Sequence, residues 1–218
     1  MRFAGLAATV DLVNENHAQL LGSPEWAAYL HDEVLPAAVR DADLGDDMLE
    51  IGPGPGAATS WLSQRVKRLA AVELSPSAAE ALRGRFAGTN VSVVTGDATA
   101  LEYPSASFDS VGMFTMLHHV PTRRLQDALL AEALRVLRPG GTLVGSDSLA
   151  SERLHHFHSG DTYNPVEPAS LLTRLQTLGF AEMSVTVGHT LLFRARAPEA
   201  RAPEDGAPED GAPEDGAS

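Results

Sequence analysis

From Met48 onward, short apolar runs alternate with longer amphipathic stretches. The apolar runs predict strands at Met48–Gly52, Leu69–Leu74, Val91–Thr95, Phe108–Thr115 and Thr142–Ser146. The stretches between them predict helices at about Ala57–Arg68, Pro76–Phe86 and Thr122–Leu137, with a break at Arg138-Pro139-Gly140-Gly141. Strands that alternate with helices are typical of a parallel sheet with crossover connections, so the pattern predicts an α/β fold.

The segments on either side of this core carry other patterns. Phe3 to Arg40 predicts helices, with Ser23 as a cap and Pro24 at the first helical position. Beyond an irregular stretch, Pro168 to Leu178 predicts another helix. Two short alternating segments follow and predict a hairpin that closes the sheet, at Glu182–Val187 and Thr190–Arg196.

A repetitive C-terminal end carries nearly half of the chain's net charge. Ala202 to Gly216 is three copies of Ala-Pro-Glu-Asp-Gly, which buries too little apolar surface to order, so we expect disorder there. The net charge is −13, and seven acids against one base between Ala197 and Ser218 supply −6 of it. The remaining −7 offers phosphate backbones no general attraction. We therefore expect a small-molecule substrate and no nucleic-acid partner.

Composition limits the compartment and the chemistry. No window approaches the run of about eighteen apolar residues that a membrane span needs, and the N-terminus lacks the pattern of a secretion signal. We therefore expect a cytoplasmic protein with no membrane partner. The absence of cysteine excludes disulfides, thiolate metal sites and a cysteine nucleophile.

A glycine-rich turn follows the first predicted strand. In Glu50-Ile51-Gly52-Pro53-Gly54-Pro55-Gly56-Ala57, three glycines at alternate positions let the backbone bend sharply and approach a ligand closely, since no Cβ intervenes. The turn also fits the dinucleotide fingerprint loosely, as Gly52-x-Gly54-x-x-Ala57. Such a turn is common, so the residues after the next strands are needed to identify the ligand.

Acidic residues follow the second and third predicted strands. Glu73 stands about twenty residues after the glycine turn, where an acid that binds ribose hydroxyls is expected. Asp97, after the third strand, can accept a hydrogen bond from the exocyclic amine of adenine. The turn and the two acids together predict one adenosine-containing ligand, held at three strand ends.

Further motifs extend the series: Val72-Glu73-Leu74-Ser75, Gly96-Asp97-Ala98, Phe108-Asp109, Met116-Leu117-His118-His119-Val120 and Leu137-Arg138-Pro139-Gly140-Gly141-Thr142-Leu143. In order and spacing, from about Met48 to Val144, the series resembles the class I S-adenosylmethionine-dependent methyltransferases, particularly the methyltransferase type 11 or ubiquinone-biosynthesis-like group. The resemblance implies a three-layer Rossmann-like sandwich. Its sheet has seven strands and is mostly parallel with the last strand antiparallel, and helices cover both faces.

The resemblance also implies S-adenosyl-L-methionine as cofactor and a role for each matching residue. The implied cofactor-binding residues are Glu50, Gly52, Gly54, Gly56, Glu73, Leu74, Asp97, Ala98, Met116 and Leu117. The glycines face the amino-acid end of the cofactor, Glu73 holds the ribose and Asp97 the adenine amine. The backbone of Ala98 meets the ring edge, and Met116 and Leu117 lie near the methionyl moiety.

On this basis the chain divides into three parts. We expect a helical cap over residues 1–45, the S-adenosylmethionine-binding methyltransferase domain over 46–197, and the disordered acidic tail over 198–218. Residues 150–168 form a substrate loop or lid within the middle part.

Two adjacent histidines are the candidates for a general base. His118 and His119 follow the fourth predicted strand, where open α/β sheets present groups to ligands. Because neighbours on an extended segment point to opposite sides, we expect one of them to face the cleft. The alternative is that one packs structurally and the other is exposed.

A second polar cluster follows the fifth predicted strand. The candidate substrate contacts are Asp147, His155, His156, His158 and Tyr163. Asp147 alternatively caps backbone amides, and the loop alternatively forms an exposed polar surface. A metal held by His156, His158 and Asp161 is a third alternative. Their spacing matches no established metal motif, so we assign no metal ligand.

We expect an enzyme that transfers a methyl group by in-line displacement to an oxygen, nitrogen or carbon atom of a small molecule. Two alternatives stay open. One is a regulatory protein that binds the cofactor without turnover, and the other is a NAD(P)-dependent oxidoreductase, which shares the glycine turn and the acid after the second strand. Asp97-Ala98 and the later motifs count against the oxidoreductase. The pattern predicts no oligomeric state.

Overall fold

The computed structural model describes residues 19–200. The predictions for residues 1–18 and for the repeat at Ala202–Gly216 lie outside this range. The strands are β1 Asp47–Ile51, β2 Arg68–Glu73, β3 Val91–Thr95, β4 Phe108–Phe114, β5 Leu137–Asp147, β6 Ala181–Val187 and β7 Leu191–Arg196.

The helices surround this sheet. They are α1 Pro24–Tyr29, α2 Leu35–Ala38, α3 Ala57–Leu62, α4 Pro76–Arg85, α5 Arg123–Val136, α6 Glu152–Phe157 and α7 Pro168–Leu178. A π-helical turn, Leu30–Val34, joins α1 to α2, and Ser23 caps α1 by accepting a hydrogen bond from the backbone N–H of Trp26. Within residues 19–200, every helix is too short or too polar to cross a membrane.

The seven strands form one sheet in the order β3-β2-β1-β4-β5-β7-β6. Strands β1 to β5 are parallel, whereas β7 runs antiparallel to both β5 and β6. The predicted α/β class, the closing hairpin and the antiparallel last strand are confirmed. The strand order reverses between β1 and β4, the position at which open α/β sheets bind ligands beyond their carboxyl ends.

Alternate side chains of the central strand β1 pack on the two faces of the sheet. Leu49 and Ile51 belong to the core cluster that includes residues of α5 and α7. Met48 belongs to the opposite cluster, with residues of α2 and α3. All three side chains are buried, and helices on both faces give the predicted three-layer arrangement.

Charged residues fasten the amino ends of β1 and β4, away from the glycine turn. The Asp109 carboxylate accepts hydrogen bonds of 2.9 Å from the backbone N–H groups of Asp46 and Asp47. Arg138 donates to Asp109 at 2.5 Å and to Asp47 at 3.2 Å. The acidic residue of the Phe108-Asp109 motif therefore joins strands and lies at the opposite end of the sheet from the predicted ligand.

Two predicted boundaries are wrong, and one helix was not predicted. Helix α3 ends at Leu62 instead of Arg68, because Asn90 turns the chain by donating to the carbonyls of Ser63 and Val66. Strand β5 begins at Leu137 instead of Thr142. Gly141 lets the strand pass close to β4, since a Cβ at this position would lie 2.9 Å from the Asp109 carbonyl oxygen. The stretch read as irregular contains α6, which Ser151 caps.

Candidate functional site

The glycine turn has a left-handed backbone at all three glycines, with φ of +67° at Gly52, +52° at Gly54 and +86° at Gly56. A Cβ at Gly56 would lie 2.7 Å from a Leu82 methyl carbon, and one at Gly52 would lie 3.1 Å from Met116. A Cβ at Gly54 would meet nothing within 4 Å. Neighbouring side chains therefore lie tight against Gly56 and less tightly against Gly52, whereas Gly54 borders open space.

That open space is a cavity of about 660 Å³ at the carboxyl ends of β1, β2 and β4. Seven of the predicted cofactor residues line it: Glu50, Gly52, Gly54, Glu73, Leu74, Ala98 and Met116. Gly56, Leu117 and Asp97 are not among the lining residues. Gly96 and Ala98, on either side of Asp97, do line the cavity, so the end of β3 borders the same space as the ends of β1, β2 and β4.

Glu73 is fixed at the end of β2 by backbone donors. Its carboxylate accepts a hydrogen bond of 3.3 Å from the N–H of Gly54 and one of 2.9 Å from the N–H of Ser75. Burial raises the pKa of Glu73, and the bonds from these backbone groups oppose that rise. The carboxylate is thus held between the glycine turn and the start of α4, on the wall of the cavity.

Glu50 is a second carboxyl group on the cavity wall. It is 2% exposed, and its Oε2 atom has no hydrogen-bond partner among residues 19–200. Burial raises the pKa of Glu50 to about 7, and the charge of Glu73 adds to the rise. A buried acceptor of this kind fits a cationic donor in the cavity, such as an ammonium group.

Asp97 is engaged in its own turn. Its Oδ1 atom accepts hydrogen bonds from the backbone N–H of Thr99, at 2.8 Å, and from the Thr99 hydroxyl, at 2.7 Å. This arrangement holds the turn that presents Ala98 to the cavity. Contact between Asp97 and an adenine amine stays a prediction.

The N-terminal helices contribute cavity residues that the sequence pattern did not assign to the site. Leu21, Trp26 and Leu30 line the cavity. His31 holds this segment in place by donating from Nε2 to the Ala57 carbonyl at 2.8 Å. The sequence pattern predicted helices in this segment as part of a cap, but it did not indicate which of their residues would line the cavity.

Thr115, at the end of β4, is a further lining residue that the sequence did not reveal. Its φ of +52° is unusual for a β-branched residue and is held by a 2.8 Å hydrogen bond from its N–H to the Ser146 carbonyl. Backbone strain of this kind costs about 1–3 kcal/mol and concentrates at functional sites. A threonine at the end of an apolar run gives no sequence signal of such a conformation.

The two adjacent histidines lie on a 3₁₀ turn, Leu117–His119, and their ring centroids are 4.1 Å apart. His119 lines the cavity and His118 does not. The expectation that only one of them faces the cleft assumed an extended segment, and this assumption was wrong because the segment is a turn. His118 is instead buried, with Nδ1 2.5 Å from Oδ1 of Asp147.

The five candidate substrate contacts are divided among different surroundings. Asp147 is fully buried and accepts hydrogen bonds from the backbone N–H groups of His118 and Ser148, as the capping alternative holds. His155, His156 and Tyr163 line a second, open depression of about 510 Å³. His158 is buried and stacks on Tyr163, with ring centroids 4.4 Å apart. None of the five lines the larger cavity.

The potential metal ligands differ from the set weighed from the sequence. Within residues 19–200, the group whose ligand atoms lie close enough for one ion is His118, His119 and His158. His156 and Asp161 are not part of it.

Comparisons with known proteins agree with this geometry. Residues 49–145 match the family model described as "Methyltransferase domain". A "Probable ribosomal RNA small subunit methyltransferase A" of Pyrobaculum islandicum is 37% identical over 90 residues, which cover 40% of this chain and 38% of that protein. An uncharacterized methyltransferase of Mycobacterium bovis is 31% identical over 121 residues, covering 55% of this chain and 58% of the relative. The chain thus matches about half or less of the first relatives' lengths.

Among solved structures, a "SAM dependent methyltransferase from Aquifex aeolicus" superposes with a TM-score of 0.68 at 17% identity, covering 84% of this chain and 98% of that one. This likeness shows the shared fold.

The comparisons correct one prediction. A small-molecule partner with no nucleic acid was wrong, since several of the matched relatives are named for methylation of ribosomal RNA. The error came from the net charge of the whole chain, which says nothing about the local surface around a site.

Proposed function

We propose that the chain is a class I S-adenosylmethionine-dependent methyltransferase, on the strength of the methyltransferase domain matched at residues 49–145, and that it methylates an acceptor held at the mouth of the cavity. One observation carries the proposal. The glycine turn, Glu73 and Glu50 border a single cavity at the point where the strand order reverses. We also propose that α1 and α2 act as its cap, within the three-part organisation set out above.

The wall of the cavity suits the parts of the cofactor. S-adenosylmethionine, when bound, supplies a methyl group on a positively charged sulfur, which makes that carbon electrophilic. In our proposal Glu73 accepts hydrogen bonds from the ribose hydroxyls. The backbone at Gly52 and Gly54 admits close approach, and Glu50 receives the ammonium group through its Oε2 atom. Asp97 as the adenine contact is part of the same proposal.

The remaining residues orient the reactants and exclude water. Apolar side chains such as Val72, Phe114 and Met116 surround the polar groups, which strengthens the electrostatic contacts inside. Alignment of the acceptor with the methyl group is the main task of the protein in a displacement of this kind. His119, on the wall, is our candidate proton acceptor for an acceptor atom that must lose a proton.

RNA is the first acceptor class to assay. The matched ribosomal RNA methyltransferases support this choice, although the similarity covers only part of each relative. With a net charge of −13, the chain must meet RNA through a local surface and not through its overall field.

The experiment uses the full chain, tritium-labelled S-adenosylmethionine and cell extract containing small ribosomal subunits, with nuclease-treated extract in parallel. We expect label to enter acid-insoluble material in a nuclease-sensitive manner. Glu73→Gln should reduce the initial rate about 10- to 100-fold at limiting cofactor, because a charged acceptor of hydrogen bonds is lost. Glu80→Gln, at an exposed residue of α4, is the matched control and should keep the rate.

Three results have distinct meanings. Transfer that survives nuclease treatment keeps the methyltransferase and removes RNA as acceptor. Tight binding of S-adenosylhomocysteine with no turnover in any extract favours the regulatory protein. Binding of NAD alone, with no binding of S-adenosylhomocysteine, overturns the proposal in favour of an oxidoreductase.

A further inference from the structure

Three histidine rings from two separate segments meet beside the cavity. His118 and His119 lie on the turn after β4, and His158 follows α6. One potential ligand atom from each lies within 4.8 Å of the others, and the residues are 2%, 8% and 3% exposed, respectively. Three imidazoles this close can serve as the protein ligands of a transition-metal site that leaves a fourth position for water or substrate.

In two of the three rings, the Nδ1 atom has a hydrogen-bond acceptor that orients the ring. In His118, Nδ1 is 2.5 Å from Oδ1 of the fully buried Asp147, and in His158, Nδ1 is 2.7 Å from the Leu154 carbonyl. A neutral imidazole that donates from Nδ1 keeps its lone pair on Nε2, one of the two ring atoms that can bind metal. Carboxylate and carbonyl partners of this kind are the usual support of histidine ligands.

The backbone around the rings is held in place before any ligand arrives. The Asn164 N–H donates to the His118 carbonyl at 2.7 Å, and the Asn164 side chain donates to the Val120 carbonyl at 3.0 Å. Gln126 donates to the carbonyls of Leu117 and Asn164, at 2.9 Å each. These bonds join the turn after β4 to the segment after α6, so the two sources of histidine are fixed relative to one another.

We propose that His118, His119 and His158 bind one divalent transition-metal ion, with Zn²⁺ the ion that suits an all-imidazole set. Asp147 is a positioning residue that orients His118. Because His119 also lines the cavity, the remaining coordination position adjoins the cavity. The site departs from the expectation of no metal and from the set His156, His158 and Asp161. It does not depend on the proposed methyl transfer, and where the ion is bound, His119 is its ligand and not the proton acceptor considered for that transfer.

The test is a titration of the untagged full chain, stripped of metal with a chelator, with Co²⁺ and then with Zn²⁺. We expect one equivalent of Co²⁺ to give the intense visible bands of four-coordinate cobalt, and Zn²⁺ to displace it. The ion should also raise the unfolding temperature, since it binds the folded state. Neither readout requires enzymatic activity.

Variants separate this site from the exposed histidines nearby. His119→Ala and His158→Ala should each weaken Co²⁺ binding by more than about 100-fold, and Asp147→Asn by about 10- to 100-fold. His156→Ala, in the open depression, is the matched control and should leave the affinity unchanged.

The wild-type titration keeps the proposal falsifiable even if a ligand variant fails to fold. Absence of the visible bands and of the thermal shift in the wild-type chain overturns the site. Equal weakening by His156→Ala and His158→Ala would also overturn it, because it would locate the metal in the surface depression.

Discussion

Glu50 is a buried carboxyl group, and one of its oxygen atoms has no hydrogen-bond partner in the described part of the chain. Its Oε2 atom has no partner among residues 19–200, and burial raises its pKa to about 7 from 4.5. The protonated carboxyl is therefore preferred in the folded chain over a range of pH in which the unfolded chain is ionised. Stability linked to this group is present below pH 4.5, is lost between 4.5 and about 7, and is constant above that range.

Glu50→Gln should remove this pH dependence. Between pH 5 and pH 8 the unfolding free energy of the cofactor-free wild type should fall by about 2 kcal/mol more than that of the variant, from the shift in pKa. Urea denaturation at the two pH values measures the difference. Parallel pH profiles for the two proteins would show that Glu50 ionises normally in the fold.

The glycines of the turn have different reasons to be glycine, and substitution separates them. Gly54→Ala should cost about 1 kcal/mol of unfolding free energy for its left-handed backbone. Gly56→Ala should cost about 1–3 kcal/mol more, because its Cβ meets Leu82 at 2.7 Å. Denaturant unfolding of both variants measures the costs. Gly84→Ala, in α4 with an ordinary backbone and open space, is the control and should be neutral or stabilising.

Equal costs at Gly54 and Gly56 would contradict the packing at the turn. Gly54→Ala should in addition weaken binding of S-adenosylhomocysteine, since its Cβ would project into the open space at the cavity.

The helical segment from Pro24 to Ala38 contributes part of the cavity wall. Trp26 and Leu30 line the cavity from this segment, and His31 joins it to the start of α3. Trp61, the other tryptophan, is buried in the core beneath the same segment, with the Arg65 guanidinium 3.2 Å above its ring. The fluorescence of Trp26 therefore reports on the cavity wall, and that of Trp61 on the core between α1 and α3.

Tryptophan fluorescence tests whether this segment contacts the ligand. Saturation with S-adenosylhomocysteine should change the emission of the wild type and of Trp61→Phe, because both retain Trp26 at the cavity. Trp26→Phe should lose most of the change. A ligand response that follows Trp61 instead would show that α1 does not cover the occupied cavity.

Helices and strands were predictable where their own apolar residues mark them. The apolar pattern located six of the seven strands within one residue at each end, set the start of β5 five residues late, and placed α7 at its observed bounds. The end of α3 was missed because it depends on Asn90, which lies 27 residues beyond Ser63. Helix α6 was missed because histidines and an acid filled a short segment whose Ser151 cap is its main signal.

Contacts between residues far apart in the chain depend on the whole fold, and sequence spacing does not predict them. The glycine turn and Glu73 were predictable as a site because consecutive parallel strands deliver their ends to one edge. The meeting of His158 with His118 was not, because about forty residues separate them and the contact depends on the path of the chain around α5. The division of the polar cluster after β5, with Asp147 inside and His155 at a separate depression, has the same cause.

Calorimetric titration of the full chain with S-adenosylhomocysteine, beside a titration with NAD, tests the central claim about the cavity most directly. The account predicts one site for S-adenosylhomocysteine, an affinity about 10- to 100-fold weaker in Glu73→Gln, and no heat of binding for NAD. Binding of NAD in preference to S-adenosylhomocysteine, or an affinity that ignores the substitution at Glu73, would contradict it.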